Sequence, residues 1–131
     1  MSIQRVVETC LYVEDVERAA RWYEDILGLS RVTQDPPRHV FLQAGDSMLL
    51  LFDAEHTKVR KPGDKSAVHG AQGVQHVALG VEDLAPWRER LAGHGVTIVE
   101  EATWGEGRSI YFHDPSGNLV ELVTPGTWPV W

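Results

Sequence analysis

Cysteine is almost absent from the 131-residue sequence, in which Cys10 stands alone. One thiol cannot form an internal disulfide, so stability has to come from a hydrophobic core rather than from covalent crosslinks. Cys10 lies in an apolar stretch, and no histidine stands at a motif-like distance from it. We therefore expect a small core or cavity-wall residue and not a catalytic thiol.

Long apolar runs are also missing. Charged residues interrupt the first segment at Arg5, Glu8, Glu14 and Asp15. No later stretch approaches the roughly 20 consecutive apolar residues that a membrane-spanning helix needs. We therefore expect neither a signal peptide nor a membrane association, and the cytoplasm is the predicted compartment.

Basic residues are scarce relative to acidic ones. The chain has 12 Lys and Arg against 19 Asp and Glu, which gives a formal net charge of −7. This balance argues against a nucleic-acid partner, because phosphate binding needs clustered Lys and Arg. It favours solubility and is compatible with a cationic ligand. The length, with 43% apolar and 24% charged residues, is typical of one globular domain.

What the sequence does contain is an internal repeat. The pattern Glu8-Thr-Cys-Leu-Tyr-Val-Glu-Asp-Val returns in the middle of the chain as His76-Val-Ala-Leu-Gly-Val-Glu-Asp-Leu. Each copy opens with a potential metal ligand, continues as an alternating strand pattern and enters a helical segment. Two half-domains that place one ligand each at the same strand position can bring those ligands to a shared cleft.

The first half is predicted to contain one helix over 16–27, between an Asp15 N-cap and a Gly28 C-cap. Its predicted strands are 5–13, 39–43 and 48–52. The sequence Gln34-Asp-Pro-Pro-Arg is interpreted as a loop or hairpin turn. Residues 54–72 are polar and without a useful period, so we interpret them as a linker that can fold over a site.

The second half repeats this order. A helix is predicted from about Leu84 to Ala92, ending at Gly93-His-Gly95. The predicted strands are 74–81, 97–100, 109–113 and 119–124.

Three residues on predicted strands combine into a candidate metal site: Glu8, His76 and Glu121. His76 shares a strand face with small residues, which leave space beside it, although an isolated His can also be a hydrogen-bonded structural residue. Glu121 stands in an apolar strand, where a charge costs several kcal/mol unless it is paired, with Arg108 as the nearest candidate, or bound to metal. Two carboxylates and one imidazole suit Mn²⁺, Fe²⁺, Ni²⁺, Zn²⁺ or Mg²⁺.

Three segments carry a family resemblance: the opening Leu11-Tyr-Val-Glu-Asp-Val-Glu-Arg-Ala-Ala-Arg-Trp-Tyr-Glu-Asp-Ile-Leu-Gly-Leu29, the His76 repeat, and the closing Tyr111-Phe-His-Asp-Pro-Ser-Gly-Asn-Leu-Val-Glu-Leu122. With them the chain resembles the vicinal oxygen chelate superfamily, which includes glyoxalase I, bleomycin-resistance proteins and extradiol dioxygenases. The resemblance implies an α+β fold in which two tandem βαβββ modules form an incompletely closed mixed β-barrel cleft, and commonly a homodimer. It implies a single glyoxalase-like domain over 1–131, with modules over about 1–56 and about 73–131 and a linker over about 57–72.

The resemblance also assigns the ligand positions. Glu8 matches the first-strand ligand, His76 the ligand that opens the second half, and Glu121 the ligand of the final strand. Two positions depart from the family pattern. Glu8 stands where dioxygenases and fosfomycin-resistance enzymes often have His, and the fourth ligand position falls at about Leu50, which cannot bind metal.

Four further residues are predicted to contact a substrate: Trp104, Arg108, Tyr111 and His113. Arg108 could clamp a carboxylate or phosphate, and Trp104 could stack on a ring. Each has the alternative of an ordinary surface or packing role. Trp128 and Trp131 are expected either to dock the final segment on the protein surface or to roof the cleft.

Two functions from different classes fit these features. The first is a metal-dependent isomerase, lyase or dioxygenase whose small-molecule substrate chelates the metal through adjacent oxygens, with Glu8 or Glu121 as the base. The dioxygenase type is less favoured, because two carboxylates and one His invert the usual facial triad. The alternative is a metal-free protein that sequesters a cationic or aromatic compound, as bleomycin-resistance proteins do.

Overall fold

A computed structural model describes residues 1–60, 62–63, 65 and 67–131 of the chain. These residues form two compact units, Met1–Gly73 and Val74–Trp131. The first unit contains β1 (Glu8–Tyr12), α1 (Val16–Leu27), β2 (Ser30–Asp35), β3 (His39–Ala44), β4 (Ser47–Phe52) and α2 (Ala54–Thr57). The second contains β5 (His76–Gly80), α3 (Ala85–Gly93), β6 (Glu100–Trp104), β7 (Gly107–His113) and β8 (Leu119–Val123).

The two sheets have the same topology. Their strand orders are β1-β4-β3-β2 and β5-β8-β7-β6. In each sheet the first strand pairs in parallel with the last, and the remaining pairs are antiparallel. Each sheet is mixed, four-stranded and not closed into a barrel. The predicted α+β fold with two tandem βαβββ modules is therefore confirmed, whereas the prediction that they form one domain stays a prediction.

Helix α1 has the bounds and caps that its sequence predicts. The Asp15 side chain accepts hydrogen bonds from the backbone amides of Glu17 and Arg18, at 3.1 and 3.0 Å. Gly28 ends the helix with φ 71°, a conformation that glycine adopts without steric cost. The buried face of α1, which includes Tyr23, packs on β3 and β4. This packing forms the core of the first unit.

An ion-pair cluster fastens α1 to the edge strand β2. Arg31 lies 2.9 Å from carboxylate oxygens of both Glu17 and Glu24. Hydrogen bonds from Arg31 hold the pKa of Glu17 below its ordinary value of 4.5. Because this pKa is lowered in the folded state, the stabilisation is present above that ordinary value and is lost as the pH falls below it.

The core of the second unit is built on one face of its sheet. The buried side chains of the sheet's inner face include Ile110, Phe112, Val120 and Leu122. Helix α3 buries only Leu91 among its own residues. Among the described residues, no helix is long and apolar enough to cross a membrane.

Three sequence predictions differ from the structure. The strand predicted over 97–100 instead occupies Glu100–Trp104, because its pairing with β7 is fixed by a two-residue turn that contains Gly105 at φ 61°. Strand β2 (Ser30–Asp35) is missing from the strands predicted for the first half, and it includes Gln34 and Asp35 of the predicted turn. Within the predicted linker, Ala54–Thr57 form a short helix capped by Asp53, whose side chain accepts from the Glu55 amide at 2.8 Å.

We expect Asp15→Ala to lower the free energy of unfolding by about 1 kcal/mol, because it leaves two first-turn amides without an acceptor. Asp15→Asn retains a capping oxygen, so its free energy of unfolding should lie much closer to that of the parent. Urea unfolding followed by circular dichroism measures both. Equal destabilisation by the two variants would show that the cap does not stabilise the fold.

Candidate functional site

The polar face of the second sheet is set by the parallel pairing of β5 with β8. His76 pairs with Leu119, and Ala78 pairs with Glu121. Because side chains alternate along a strand, His76, Ala78 and Gly80 lie on the same face as Glu121. The small side chains of Ala78 and Gly80 leave open surface between the larger polar groups.

Glu121 is a buried carboxylate with three side-chain partners. Only 8% of the residue is exposed. Its Oε1 accepts hydrogen bonds from the Ser109 hydroxyl and, at 3.1 Å, from the Tyr111 hydroxyl. Its Oε2 lies 3.2 Å from Nε2 of His76. These three polar contacts therefore offset the cost of burying the charge of Glu121.

The second ring nitrogen of His76 determines what Nε2 presents to the carboxylate. Nδ1 lies 3.1 Å from the backbone carbonyl oxygen of Leu119. A carbonyl only accepts, so this contact assigns the proton to Nδ1. With Nδ1 donating to Leu119, Nε2 donates to Oε2 of Glu121 when the ring is an imidazolium, and it offers a lone pair to a bound cation when the ring is neutral.

This donor set fits a divalent metal. An imidazole nitrogen and a carboxylate oxygen are common metal ligands, and their outer contacts are those that orient ligands in metal sites. The Leu119 carbonyl fixes the His76 ring, while Ser109 and Tyr111 hold the far oxygen of Glu121. His76 is about half exposed, which leaves its ring accessible from solvent.

A tight turn helps to bring His76 and Glu121 close to each other. Asp114 and Asn118 are buried, and Asp114 Oδ1 accepts from the backbone amides of Ser116 and Asn118, both at 2.9 Å. Asn118 Oδ1 accepts from the backbone amide of Gln75 at 3.1 Å. The turn that begins β8 is thereby fastened to the residue before His76. This contact sets the register that brings His76 beside Glu121.

The other predicted substrate residues divide between the two faces of the second sheet. Tyr111 and His113 share the Glu121 face by alternation, as does the exposed Trp104, which pairs with Gly107. Arg108 alternates to the helix side, where it lines a cavity of about 540 Å³ together with Arg88. The alternative pairing of Arg108 with Glu121 is therefore not the one that the structure shows. The substrate-binding roles of all four residues stay predictions.

Ser109 is a site residue that the sequence analysis missed. It lies two residues before Tyr111, on the same face of β7, and it is 1% exposed. Strand alternation from Tyr111 could have found it, but serine by itself gave no signal.

Leu50 is the structural counterpart of Glu121 in the first sheet. Cys10 pairs with Leu50 in the parallel pair of that sheet, as Ala78 pairs with Glu121 in the other. Leu50 is 6% exposed and carries no ligand atom. The fourth ligand position that the resemblance placed at about Leu50 is thus apolar in the structure as well.

Glu8 lies on the same face of the first sheet as Cys10. Burial, followed by the charge of Glu8, raises the pKa of the Cys10 thiol. A raised pKa disfavours the reactive thiolate, which argues against a catalytic cysteine. Cys10 is exposed, so the expectation of a core residue is wrong, and the cavity-wall role stays a prediction. Glu8 itself is exposed.

Five rings on this face form what we name the aromatic cluster: Tyr12, His39, Phe41, Phe52 and His69. His39 stacks on Phe41 with ring centroids 4.3 Å apart, and Phe52 meets His69 edge-on at 4.6 Å. Phe41 and Phe52 are also in edge-to-face contact at 5.3 Å. The first sheet therefore presents an aromatic surface where the second presents polar groups.

Arg38 supplies the polar rim of the aromatic cluster. Its Nη1 donates to Nδ1 of His39 at 2.9 Å, and its guanidinium lies 5.4 Å from the Phe52 ring centroid. Burial, followed by the charge of Arg38, lowers the pKa of His39. His39 is thus favoured as a neutral ring whose Nε2–H is available as a donor.

Of the three predicted metal ligands, the structure brings His76 and Glu121 together in the second unit, while Glu8 belongs to the first unit. Across the described ranges, no group of three or more His, Cys, Asp or Glu side chains is arranged to hold a metal ion. The participation of Glu8 stays a prediction.

The chain is similar in sequence and in structure to several known proteins. The chain is 29% identical to a glutathione transferase FosA of Serratia marcescens over 120 residues, covering 92% of this chain and 80% of that one. It is 26% identical to a lactoylglutathione lyase of Haemophilus influenzae over 129 residues, with 91% of each chain covered. A crystal structure of lactoylglutathione lyase from Agrobacterium tumefaciens superposes with a TM-score of 0.93 at 29% identity, covering 98% of this chain and 99% of that one.

The model of one family, described as the Glyoxalase/Bleomycin resistance protein/Dioxygenase superfamily, matches residues 3–122. This range includes both repeats, the tight turn and the Glu121 strand. The chain belongs to the Glyoxalase/Bleomycin resistance protein/Dioxygenase superfamily.

Proposed function

We propose that the chain is a metal-dependent enzyme that acts on a small molecule with two adjacent oxygens. The observation that carries this proposal is the His76–Glu121 pair, in which Nε2 and Oε2 lie 3.2 Å apart with outer contacts that orient both groups. Relatives that match more than nine-tenths of this chain include a lactoylglutathione lyase and a glutathione transferase, and these names favour lyase or transferase chemistry over dioxygenase chemistry.

His76 and Glu121 would hold the metal, with Glu8 as the predicted third ligand. When bound, a divalent ion of this kind acts as a Lewis acid toward oxygens of the substrate. Mn²⁺, Fe²⁺, Ni²⁺, Zn²⁺ and Mg²⁺ all remain candidates for this mixed nitrogen and oxygen set.

The polar residues around the pair have separate tasks in the proposal. Ser109 and Tyr111 donate to Oε1 of Glu121 and so keep Oε2 directed at His76. In the proposal the exposed Glu8 accepts a proton from a bound substrate. Trp104 and His113 remain the predicted substrate contacts on the Glu121 face.

We expect Glu121→Gln and His76→Ala each to lower metal affinity at least about tenfold, since even the loss of a residue that only hydrogen-bonds to a metal ligand costs about 10- to 100-fold. Dialysed protein titrated with Mn²⁺, Ni²⁺ and Zn²⁺, followed by calorimetry and thermal unfolding, gives the affinities and the stabilisation by metal. Glu101→Gln is the matched control, because that carboxylate pairs with Arg88 on the other face of the sheet.

A Glu121→Gln protein that metal stabilises as strongly as the parent would refute the metal site. A general loss of stability at every metal concentration, with unchanged affinity, would instead assign Glu121 a purely structural role.

A second candidate function is metal-free binding of an aromatic compound. The aromatic cluster favours it, since contacting rings and an apolar Leu50 occupy the face whose counterpart carries Glu121. Arg38 and the Nε2–H of His39 would provide donors to an oxygen on the bound ring. This arrangement points to an anionic or carbonyl-bearing ligand rather than a cationic one.

We expect EDTA-treated protein to bind 2-naphthoate in this case, and Phe41→Ala to weaken binding about two- to tenfold through the loss of one aromatic contact. Calorimetric titration measures the affinity. Trp22→Ala is the control, because its ring lies on α1, on the opposite side of the sheet. Absence of binding to metal-free protein, together with stoichiometric metal uptake, would exclude this function.

We also propose a homodimer. Each open sheet leaves edge strands with unpaired backbone groups, and association of two copies is a common way to cover such edges. Sedimentation at micromolar concentration should give twice the mass of one chain, and a monomer would contradict the proposal. The cytoplasmic location predicted from the sequence likewise stays a prediction.

A further inference from the structure

The residues that follow β8 fold back onto the face that carries Glu121. Gly107 lies on this face, two residues before Ser109. A Cβ atom built at Gly107 would lie 1.9 Å from Oγ1 of Thr127 and 2.5 Å from its backbone nitrogen. Thr127 therefore occupies the space that a side chain at position 107 would need. Glycine is required here because backbone, and not only a flexible side chain, fills that space.

The other end of this segment, Trp131, contacts a second glycine, Gly80. A Cβ atom at Gly80 would lie 3.2 Å from Cη2 and 3.5 Å from Cζ2 of Trp131. Gly80 shares the outward face of β5 with His76, so the indole of Trp131 lies on that same face.

Thr127–Trp131, which we name the crossing segment, thus runs from β7 to β5 over the end of β8. Val123 pairs with Gly80 on one side and with Ser109 on the other, and it faces the same way as Glu121. Val123 is only 5% exposed, in keeping with a position under this segment. The crossing segment therefore forms one wall of the surface around Glu121.

Trp131 adds an exposed apolar ring to this wall. It contacts Gly80 with the edge of its ring and remains 66% exposed. Ala78, the register partner of Glu121, is two residues from Gly80, a separation of about 7 Å along the strand. An exposed indole therefore lies on the Glu121 face, two residues along β5 from the register partner of Glu121.

We infer that Trp131 is the ring-binding wall of the His76–Glu121 site, and that the ligand carries a planar unsaturated group next to its chelating oxygens. This inference rests on the proposed metal site. The contact with Gly80 holds the indole in place. The small side chain of Ala78 leaves room for a ring between Trp131 and the metal. Stacking on the indole would then select flat ligands over aliphatic ones.

Two hydroxamates test this inference. Acetohydroxamate and benzohydroxamate present the same pair of adjacent oxygens, and only the second carries a ring. Both are titrated into the Ni²⁺-loaded full chain by calorimetry, and the ratio of their dissociation constants is the readout. We expect Trp131→Ala to reduce the preference for benzohydroxamate about two- to tenfold, the range of one aromatic contact, and to leave acetohydroxamate affinity unchanged.

Two further variants separate a specific wall from a general effect on folding. Gly80→Val displaces the indole while Trp131 stays in the sequence, so it should reduce the preference by a similar factor. Trp87→Ala removes an indole that lies on α3 rather than in the crossing segment, and it should leave the preference unchanged.

An unchanged preference in Trp131→Ala would overturn the inference, as would an equal loss of affinity for both hydroxamates, which indicates a structural role. If Ni²⁺ binds but neither hydroxamate does, the metal site stands and the wall does not. If no metal binds at all, the proposed function fails and the inference fails with it.

Discussion

The parallel pairing of the first and last strands in each unit is the constraint on which the rest of the arrangement depends. It places residues from the start of a module beside residues from its end, and strand alternation then decides which of them share a face. In the second unit Asn118 secures this pairing through the backbone of Gln75. A slip of one residue would turn Glu121 into the core and break its contacts with His76, Ser109 and Tyr111.

The same backbone pattern carries two different chemistries. Leu50 and Glu121 occupy equivalent register positions, and their neighbours on the next strand are Phe41 and Tyr111. An apolar residue at this position needs only packing, which the aromatic cluster supplies. A carboxylate needs hydrogen-bond donors, which the second sheet supplies from β7. The repeat therefore preserves the strand pairing while the side chains on the two faces diverge.

Local signals explain why some features could be predicted from the sequence. Helix α1 is framed by Asp15 and Gly28, both of which act within one turn of the helix. The His76–Glu121 pair could be anticipated because each residue interrupts an apolar strand. The hydrogen bond from Ser109, the strand at Glu100–Trp104 and the seat of Trp131 on Gly80 depend instead on register and on contacts between distant residues. No local pattern encodes those contacts, so they had to be read from the structure.

The hydrogen bonds of Glu121 also bear on how the proposed chemistry is divided between the two carboxylates. A carboxylate that binds the metal can act as a base only if it leaves the metal and rotates toward the substrate. Glu121 could do so only by breaking its hydrogen bonds with Ser109 and Tyr111. In a buried site, leaving these groups unpaired is costly. Glu8 is exposed and meets no such barrier. Burial therefore favours a fixed-ligand role for Glu121, and the proposal assigns the proton transfer to the exposed Glu8. The sequence left these two roles interchangeable, and the difference in burial is the argument for separating them.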